Sequence, residues 1–402
     1  LFAMIFSASN YSLILTLLIQ MASAAMVLAP TAIAPILLLE HHWASSAIGF
    51  YISIVYLCAA TAGVFAASMI EKLGPIRTSQ IALLFSCAGL LLILQDYLVI
   101  NILGAVCLGL GYGPITPASS DILVRTTPKN RFSLIFSIKQ TGVPLGGALA
   151  GLLIPNLTDY QNAGFAFEIL LVISLAIAIL AQSLRHQLDV NRNPHAAWPK
   201  AYRFFNPIRY VLSHPVLSIL CVCSFVFSIV QLCLSSYLVT YLNTSLKWSL
   251  IDAGIGFSFV QFSGVTGRIA WSLLADKTGK TIQALIALSS LMALSCLSML
   301  YPDVHTKEWL VYCILCIFGF TAISWNGVFL AFVAQIAKKE NAAQATAGCL
   351  FFTFLGVVVG PPIFGYMVSV TNNIELCFSF LFFPLIFISL ILNKFNQQKN
   401  DA

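Results

Sequence analysis

Two basic residues stand where a charge is costly. Lys139 lies in FSIKQTGVPLGGALAGLLIP (136–155), a stretch otherwise apolar, small or uncharged. Arg268 lies in FVQFSGVTGRIAWSLLAD (259–276), inside a second apolar stretch. A cation in hydrocarbon costs at least ~2.5–3.5 kcal/mol on insertion scales. Lys139 follows Arg131 by eight residues, about 12 Å along a helix, which is deep for a snorkelling side chain. Arg268 precedes Asp276 by eight residues, a similar depth. A guanidinium grips a carboxylate through two parallel hydrogen bonds, and an ammonium adds a point charge. No span holds a carboxylate at mid-depth to answer them: Asp121 falls near one membrane surface, and Glu168 and Glu375 near the other. The spacing therefore points to an anion that arrives as cargo.

The faces of the two helices agree with that chemistry. Lys139 shares a face with Gly142 and Gly146, a small-residue strip suited to close packing. Arg268 shares a face with Gln261, Gly264 and Ser272. Further polar or aromatic residues inside spans are candidates to line a cavity: Gln20, Tyr56, Tyr112, Gln140, Gln231, Trp325 and Asn326.

The elements that must position these groups follow from composition. The chain has 402 residues, 59% hydrophobic and only 8% charged, with mean hydropathy +0.92. A soluble domain carries about 25% charge, so the chain is read as a polytopic membrane protein. A span needs about 20 apolar residues. Twelve such stretches occur, near 11–39, 47–70, 77–95, 98–124, 132–154, 164–185, 215–242, 250–275, 281–300, 309–337, 343–369 and 375–393. The long polar gap at 186–214 carries Arg192, Lys200, Arg203 and Arg209 with Pro194, Pro199 and Pro207. It divides the chain into a bundle at 1–186, a linker at 187–214 and a bundle at 215–402. The sequence starts at Leu1, and a few preceding residues are expected; no removable signal peptide is expected.

Charge placement gives orientation. With the N-terminus inside, Lys72, Arg77, Arg125, Lys129 and Arg131 fall in inner loops, as do the linker cations with Arg185, and Lys277, Lys280, Lys338, Lys339, Lys394 and Lys399. Only Lys247 and Lys307 fall outside. This is the positive-inside pattern, and it puts both termini in the cytoplasm. The 11 cysteines are scattered through apolar runs and read as small hydrophobes.

The halves repeat each other. MIEKLGPIR (69–77) answers LLADKTGKT (273–281), and Gly142, Gly146 and Gly151 answer Gly356, Gly360 and Gly365. Two parallel six-helix halves are a repeat architecture of secondary transporters. With the doubled motif, the chain resembles the major facilitator superfamily over essentially its whole length. The motif of that family, G-x-L-A-D-R-x-G-R-R/K, is close to SLLADKTGK (272–280). Its first copy, ASMIEKLGPIR (67–77), departs by Ala67, Glu71 and Pro75. The resemblance implies an all-α fold of 12 transmembrane helices in two pseudo-symmetric bundles, with spans 5 and 8 facing across the interface between them. It also implies a cytoplasmic gating latch of Glu71, Arg77, Asp121 and Arg125, repeated at Asp276 and Lys280, that breaks as the halves rock. An arginine in the context Gly267 to Asp276 recurs in carboxylate-carrying members.

The expected function is therefore a secondary active transporter of a small organic anion, a carboxylate or amino acid, in the cytoplasmic (inner) membrane. It works by rocker-switch alternating access, with Lys139 and Arg268 as anion-binding cations. The expected partners are that cargo and the lipid bilayer, with coupled protons if the mode is symport rather than uniport or anion exchange; no nucleic acid, cofactor or metal is expected, and monomer is the habit of the family. The alternative is a proton-coupled multidrug or metabolite efflux antiporter. Ala105 stands where such antiporters carry an arginine before Gly109, and the span 5 motif reads Gly142-Val-Pro144-Leu-Gly146-Gly147. An enzyme is not expected: no nucleotide loop, nucleophile elbow or metal cluster appears, and His41-His42 reads as an interfacial pair. Pro30 and Pro35 in span 1, Pro114 and Pro117 in span 4, and Pro361-Pro362 in span 11 are expected to bend their helices.

Overall fold

The computed structural model describes residues 8–95, 97–126, 135, 138–190, 192–195, 206–303, 305–337 and 342–401. Lys129, Arg131, Lys200, Arg203, Lys338, Lys339 and Pro199 lie outside the described residues. The described residues are helical almost throughout and include no strand. In chain order the helices are α1 (Ala8–Ala32), α2 (Ala34–Glu40), α3 (Ser46–Leu73), α4 (Pro75–Leu92), α5 (Leu98–Thr126), α6 (Gly142–Tyr160) and α7 (Ala163–Leu188). They continue as α8 (Asn206–Ser213), α9 (Pro215–Thr244), α10 (Leu250–Thr278), α11 (Thr281–Ser298), α12 (Glu308–Ala322), α13 (Asn326–Ile336), α14 (Ala342–Thr371), α15 (Ile374–Phe380) and α16 (Phe382–Asp401).

Among the described residues, eleven stretches are long and apolar enough to cross a membrane. The expected eighth span, α10, has the length, at 29 residues. Its Gln261, Ser263, Thr266 and Arg268 lower its apolarity below the others. Polarity in that helix is thus a feature to explain by chemistry rather than by lipid. Elsewhere exposed side chains suit hydrocarbon, such as Ile179 and Leu180 on α7 and Phe383, Phe387 and Leu390 on α16.

The chain forms two compact units. The first comprises Leu1–Ile33 and Ile54–Ala201; the second comprises Ala34–Ser53 and Tyr202–Ala402. The second unit therefore takes in a segment that precedes most of the first. In the first unit α6 packs on α1 through its glycine strip. A Cβ added at Gly142 would meet Gln20 Cβ at 2.9 Å, and one at Gly146 would meet Ala24 Cβ at 2.8 Å. In the second unit the repeat-related glycines of α14 seat it on α9. A Cβ at Gly360 would meet Ile229 Cγ1 at 2.8 Å, and one at Gly356 would collide with the Phe225 carbonyl. Equivalent glycines thus join equivalent helix pairs by close backbone approach. The motif turns repeat as well. Among the described residues, Gly74 and Gly279 are the glycines with positive φ, at 90° and 67°.

Among the described residues, four expected spans are interrupted. Span 1 breaks at Ile33, where Pro35 removes the N–H that Thr31 would have accepted from. Span 5 turns at Thr141 and span 12 at Leu381, each three residues before a proline, Pro144 and Pro384, whereas span 10 breaks at residues 323–325 with no proline in the span. By contrast, Pro114, Pro117, Pro361 and Pro362 lie inside unbroken helices. The carbonyl that Pro362 leaves without a helical donor, Val358, accepts the Ser53 hydroxyl instead. Nearby, the buried Tyr237 hydroxyl donates to the carbonyls of Pro361 at 3.0 Å and Ser45 at 3.2 Å. These bonds seat the segment Ala34–Ser53 within the second unit.

Candidate functional site

Lys139 is 1% exposed, the most deeply buried charged side chain in the first unit. It sits where the chain enters α6, and its Nζ donates to the carbonyl of Thr116 on α5 at 3.3 Å. That carbonyl also accepts the Ser120 hydroxyl at 2.8 Å. The Thr116 hydroxyl in turn donates to Gln20 Oε1 of α1 at 3.2 Å. Gln20 is fully buried, and its Nε2 has no partner among the described residues. The hydroxyl of Ser23, one turn further along α1, is likewise buried and unpartnered. No carboxylate forms an ion pair with Lys139 among the described residues. The cluster is rich in donors and poor in acceptors, and Thr116 above it is exposed. An unsatisfied buried donor costs about 1–3 kcal/mol. Tyr56 and Tyr112 meet edge to face at 5.6 Å on α3 and α5, half-buried, as is Gln140 next to Lys139.

In the second unit the half-buried Arg268 lies against the break between α12 and α13. Its Nε donates to the Ile323 carbonyl at 3.0 Å, and Trp271 Nε1 donates to the Phe320 carbonyl at 3.2 Å. Gly264 and Gly267 bring α10 close enough for these bonds: a Cβ at Gly267 would meet Ser324 Cβ at 2.9 Å. Ser324 Oγ turns back to the Phe320 carbonyl at 2.6 Å and to that of Thr321 at 3.2 Å. On the far side of the break, Gln231 Oε1 of α9 accepts from Trp325 Nε1 at 2.9 Å and Asn326 Nδ2 at 3.2 Å. Trp325 is fully buried, edge-on to Phe227 and Phe329 at 5.5 and 5.3 Å. The structure thus brings Arg268, Gln231, Trp325 and Asn326 to one interrupted helix. Gln261, two turns from Arg268 on α10, is buried.

Of the residues expected to form a latch in the first unit, Glu71, Asp121 and Arg125 line a cavity of about 400 Å³ together with Arg192. Arg125 pairs with Asp121 on its own helix at 2.7 Å and donates to the Leu188 carbonyl at 3.3 Å. The Glu71 carbonyl accepts from Asn193 N at 2.7 Å. Arg77 contributes its backbone: Ile76 N and Arg77 N donate to Asp189 Oδ1 and Oδ2 at 2.9 and 3.1 Å. Asp189, just past α7, therefore caps α4 from outside that helix, and Pro75 opens the helix at its first turn. The sequence reading missed Asp189. Its signal was an acid four residues beyond Arg185, and the two are 3.9 Å apart. Asp276 and Lys280 are exposed in the second unit, with no ion pair among the described residues.

Burial raises the Asp189 carboxyl above the usual carboxylate range, against the Ile76 and Arg77 N–H donors and the Arg185 and Arg77 charges, which pull it down. Its titration therefore stabilises the fold fully below the unfolded carboxylate pKa. That share is lost as pH rises through the raised folded value. The melting temperature of the wild type relative to Asp189→Asn is expected to be highest in acid and to decline toward neutrality. Asp189→Ala, which removes both acceptors, is expected to cost about 0.5–2 kcal/mol at either pH. A melt series over pH checks both; parallel curves for wild type and Asp189→Asn would count against the burial argument.

A family model described as Major Facilitator Superfamily matches residues 13–361. The chain belongs to the Major Facilitator Superfamily. Among curated relatives, this transporter is 25% identical over 296 residues to "Probable anion transporter 7" of Oryza sativa subsp. japonica, covering 65% of this chain and 66% of that protein. It is 24% identical over 351 residues to "Uncharacterized transporter YycB" of Bacillus subtilis (strain 168), covering 83% and 80%. A third match, a Mycobacterium tuberculosis MFS-type transporter, spans 57% of that relative's length at 22% identity. Solved structures share the fold. The nucleoside transporter NupG superposes with TM-score 0.78 at 13% identity, covering 96% of this chain and 99% of that one. A bacterial homolog of the human lysosomal transporter Spinster gives 0.74 at 14%, covering 96% and 97%. The family and fold are those of transporters, not enzymes, and the all-helical, twelve-span reading of this transporter agrees with them.

Proposed function

We propose that the chain is a secondary carrier of a small organic anion, a carboxylate or amino acid, working by alternating access. Lys139 in the first unit and Arg268 in the second are its anion-binding cations. The observation that carries the reading is the state of Lys139. Its ammonium is buried, has a single backbone carbonyl as partner among the described residues, and is linked through Thr116 to Gln20, whose amide N–H has no partner among them. A buried charge is ordinarily paired, and leaving one alone is strongly unfavourable. An anion would answer the ammonium and the amide together. The name of the rice relative, an anion transporter, points the same way. We further assign Gln20, Tyr56, Tyr112 and Gln140 of the first unit and Gln231, Gln261 and Asn326 of the second to substrate binding. Glu71, Arg77, Asp121, Arg125, Asp276 and Lys280 are assigned to a latch that governs switching. Residence in the cytoplasmic membrane, with both termini inside, and proton-coupled symport complete the reading.

The test is uptake into proteoliposomes of labelled monocarboxylates, dicarboxylates and amino acids, with and without a pH gradient. Saturable uptake of an acid, competed by other acids, supports the carrier. Transport of cationic or neutral dyes with no uptake of any acid overturns the anion assignment in favour of an efflux antiporter. A response to the pH gradient decides proton coupling.

A further inference from the structure

A helix interrupted inside a membrane span needs its freed carbonyls answered from elsewhere. The break in span 10 has no proline to explain it, and no charge of its own between Glu308 and Ile336. It is held from α10, by Arg268 at Ile323 and by Trp271 at Phe320. Only the first of these donors is charged, so only the first would draw an anion by full charge as well as by hydrogen bonding. A hydrogen bond from a charged donor to a carboxylate is shorter and roughly twice as strong as one between neutral groups.

We infer that Arg268 is the strut of this break, and that an anion entering the site competes with the Ile323 carbonyl for its guanidinium, so that cargo binding loosens span 10. The strut is independent of cargo identity; the competition rests on the anion-carrier reading above. Three observations support the strut. The glycines at 264 and 267 bring α10 against the break, so the bond is built into the packing rather than made by a stretched surface side chain. Ser324 bonds back into the preceding turn, which weakens the helix at this point in the absence of proline. The following helix is anchored separately, with Trp325 and Asn326 on Gln231. Residues 323–325 therefore lie between two fixed points, one of which a ligand can contest. Arg268 is in this respect a positioning residue as well as a binding one.

Hydrogen exchange of the full-length protein in detergent tests this, read on the peptide covering residues 319–329. Without ligand, Arg268→Ala is expected to speed exchange there by at least about tenfold, one charged hydrogen bond's worth. Arg268→Lys, which keeps the charge and bulk, is expected to fall between Arg268→Ala and wild type. Exchange across residues 220–230 of α9 should not change, and that control separates a local effect from failure to fold. Unchanged exchange at 319–329 in both variants overturns the strut. With wild type, saturating lactate or succinate, whichever raises the melting temperature, is expected to speed exchange at 319–329. Faster exchange in wild type and no further increase in Arg268→Lys supports the competition. A thermal shift with unchanged or slower exchange at the break overturns the competition while leaving the anion reading intact. No thermal shift and no uptake of any acid overturns the anion reading and the competition together, and the ligand-free comparison still decides the strut.

Discussion

Lys139→Met is expected to weaken the apparent affinity of saturable anion uptake by roughly 10- to 150-fold while leaving the melting temperature equal to or above that of the wild type. The two halves of that result come from the same geometry. Among the described residues the ammonium has one partner, the Thr116 carbonyl, which keeps Ser120 Oγ when the lysine is gone. Methionine is flexible and apolar and can fill the vacated volume. The substitution thus removes a buried, unpaired charge and strands no acceptor, and exchanging buried ions for apolar groups of similar size is often neutral or stabilising. For the cargo the balance is opposite. A charge-assisted hydrogen bond contributes about 1.5–3 kcal/mol, a loss of roughly 10- to 150-fold in affinity. Gln20→Leu should weaken binding by less, since the bond it removes is neutral at the protein end. Uptake kinetics beside a thermal melt check both. A Lys139→Met protein that melts early but transports normally would make the lysine a structural donor and remove it from the binding group.

Gly74→Ala is expected to be the most damaging single-atom enlargement at the α3–α4 turn. Gly74 has φ 90° and ψ 157°, a conformation essentially reserved to glycine. Forcing an alanine there costs about 1–3 kcal/mol in backbone terms alone. The new methyl would also be driven into the Asp189 carboxylate, the group that caps α4. The capping bonds and the backbone would then fail together. The expected signature is non-additivity: in the Asp189→Gly background, Gly74→Ala should lose only the backbone share, because the colliding atoms, Cβ included, are gone. Gly279 is the repeat-related control. Its φ is 67°, and a Cβ there meets nothing within 4 Å. Gly279→Ala should show only the backbone penalty, insensitive to Asp189. Melts of the single and double variants decide this. Equal costs at Gly74 and Gly279 would mean that the Asp189 contact contributes nothing.

The sequence made the gross architecture readable because lipid imposes a length and an apolarity that composition reports directly. The repeat was readable for a related reason. The turn glycines of the two motif copies share a positive φ, though not the same ψ, and the glycine strips of α6 and α14 share a packing role. What escaped the sequence depended on tertiary placement. The prolines at 114, 117, 361 and 362 drew attention to helices that run unbroken, since neighbouring donors such as Ser53 can answer a freed carbonyl. The break at residues 323–325 went unread, because its cause is distributed over Ser324, Gly264, Gly267 and Arg268 on two helices. Lys139 stood out by its charge. Its companions Thr116 and the unpartnered Gln20 amide became meaningful only when three helices were assembled. Asp189 is the one acid of the polar linker at 186–214, and outside a span no periodicity marks its role.

The allocation of Ala34–Ser53 to the second unit has a consequence for anyone who cuts this gene in two. Severing the chain at the linker would give a C-terminal fragment whose Tyr237 hydroxyl and Val358 carbonyl have lost the groups they bond to at Ser45 and Ser53. Such a fragment would carry an uncovered seam along α9 and α14. Supplying residues 34–53 as a separate peptide, or grafting them onto the fragment, should restore its solubility. The natural place to divide the polypeptide is not where its longest loop lies.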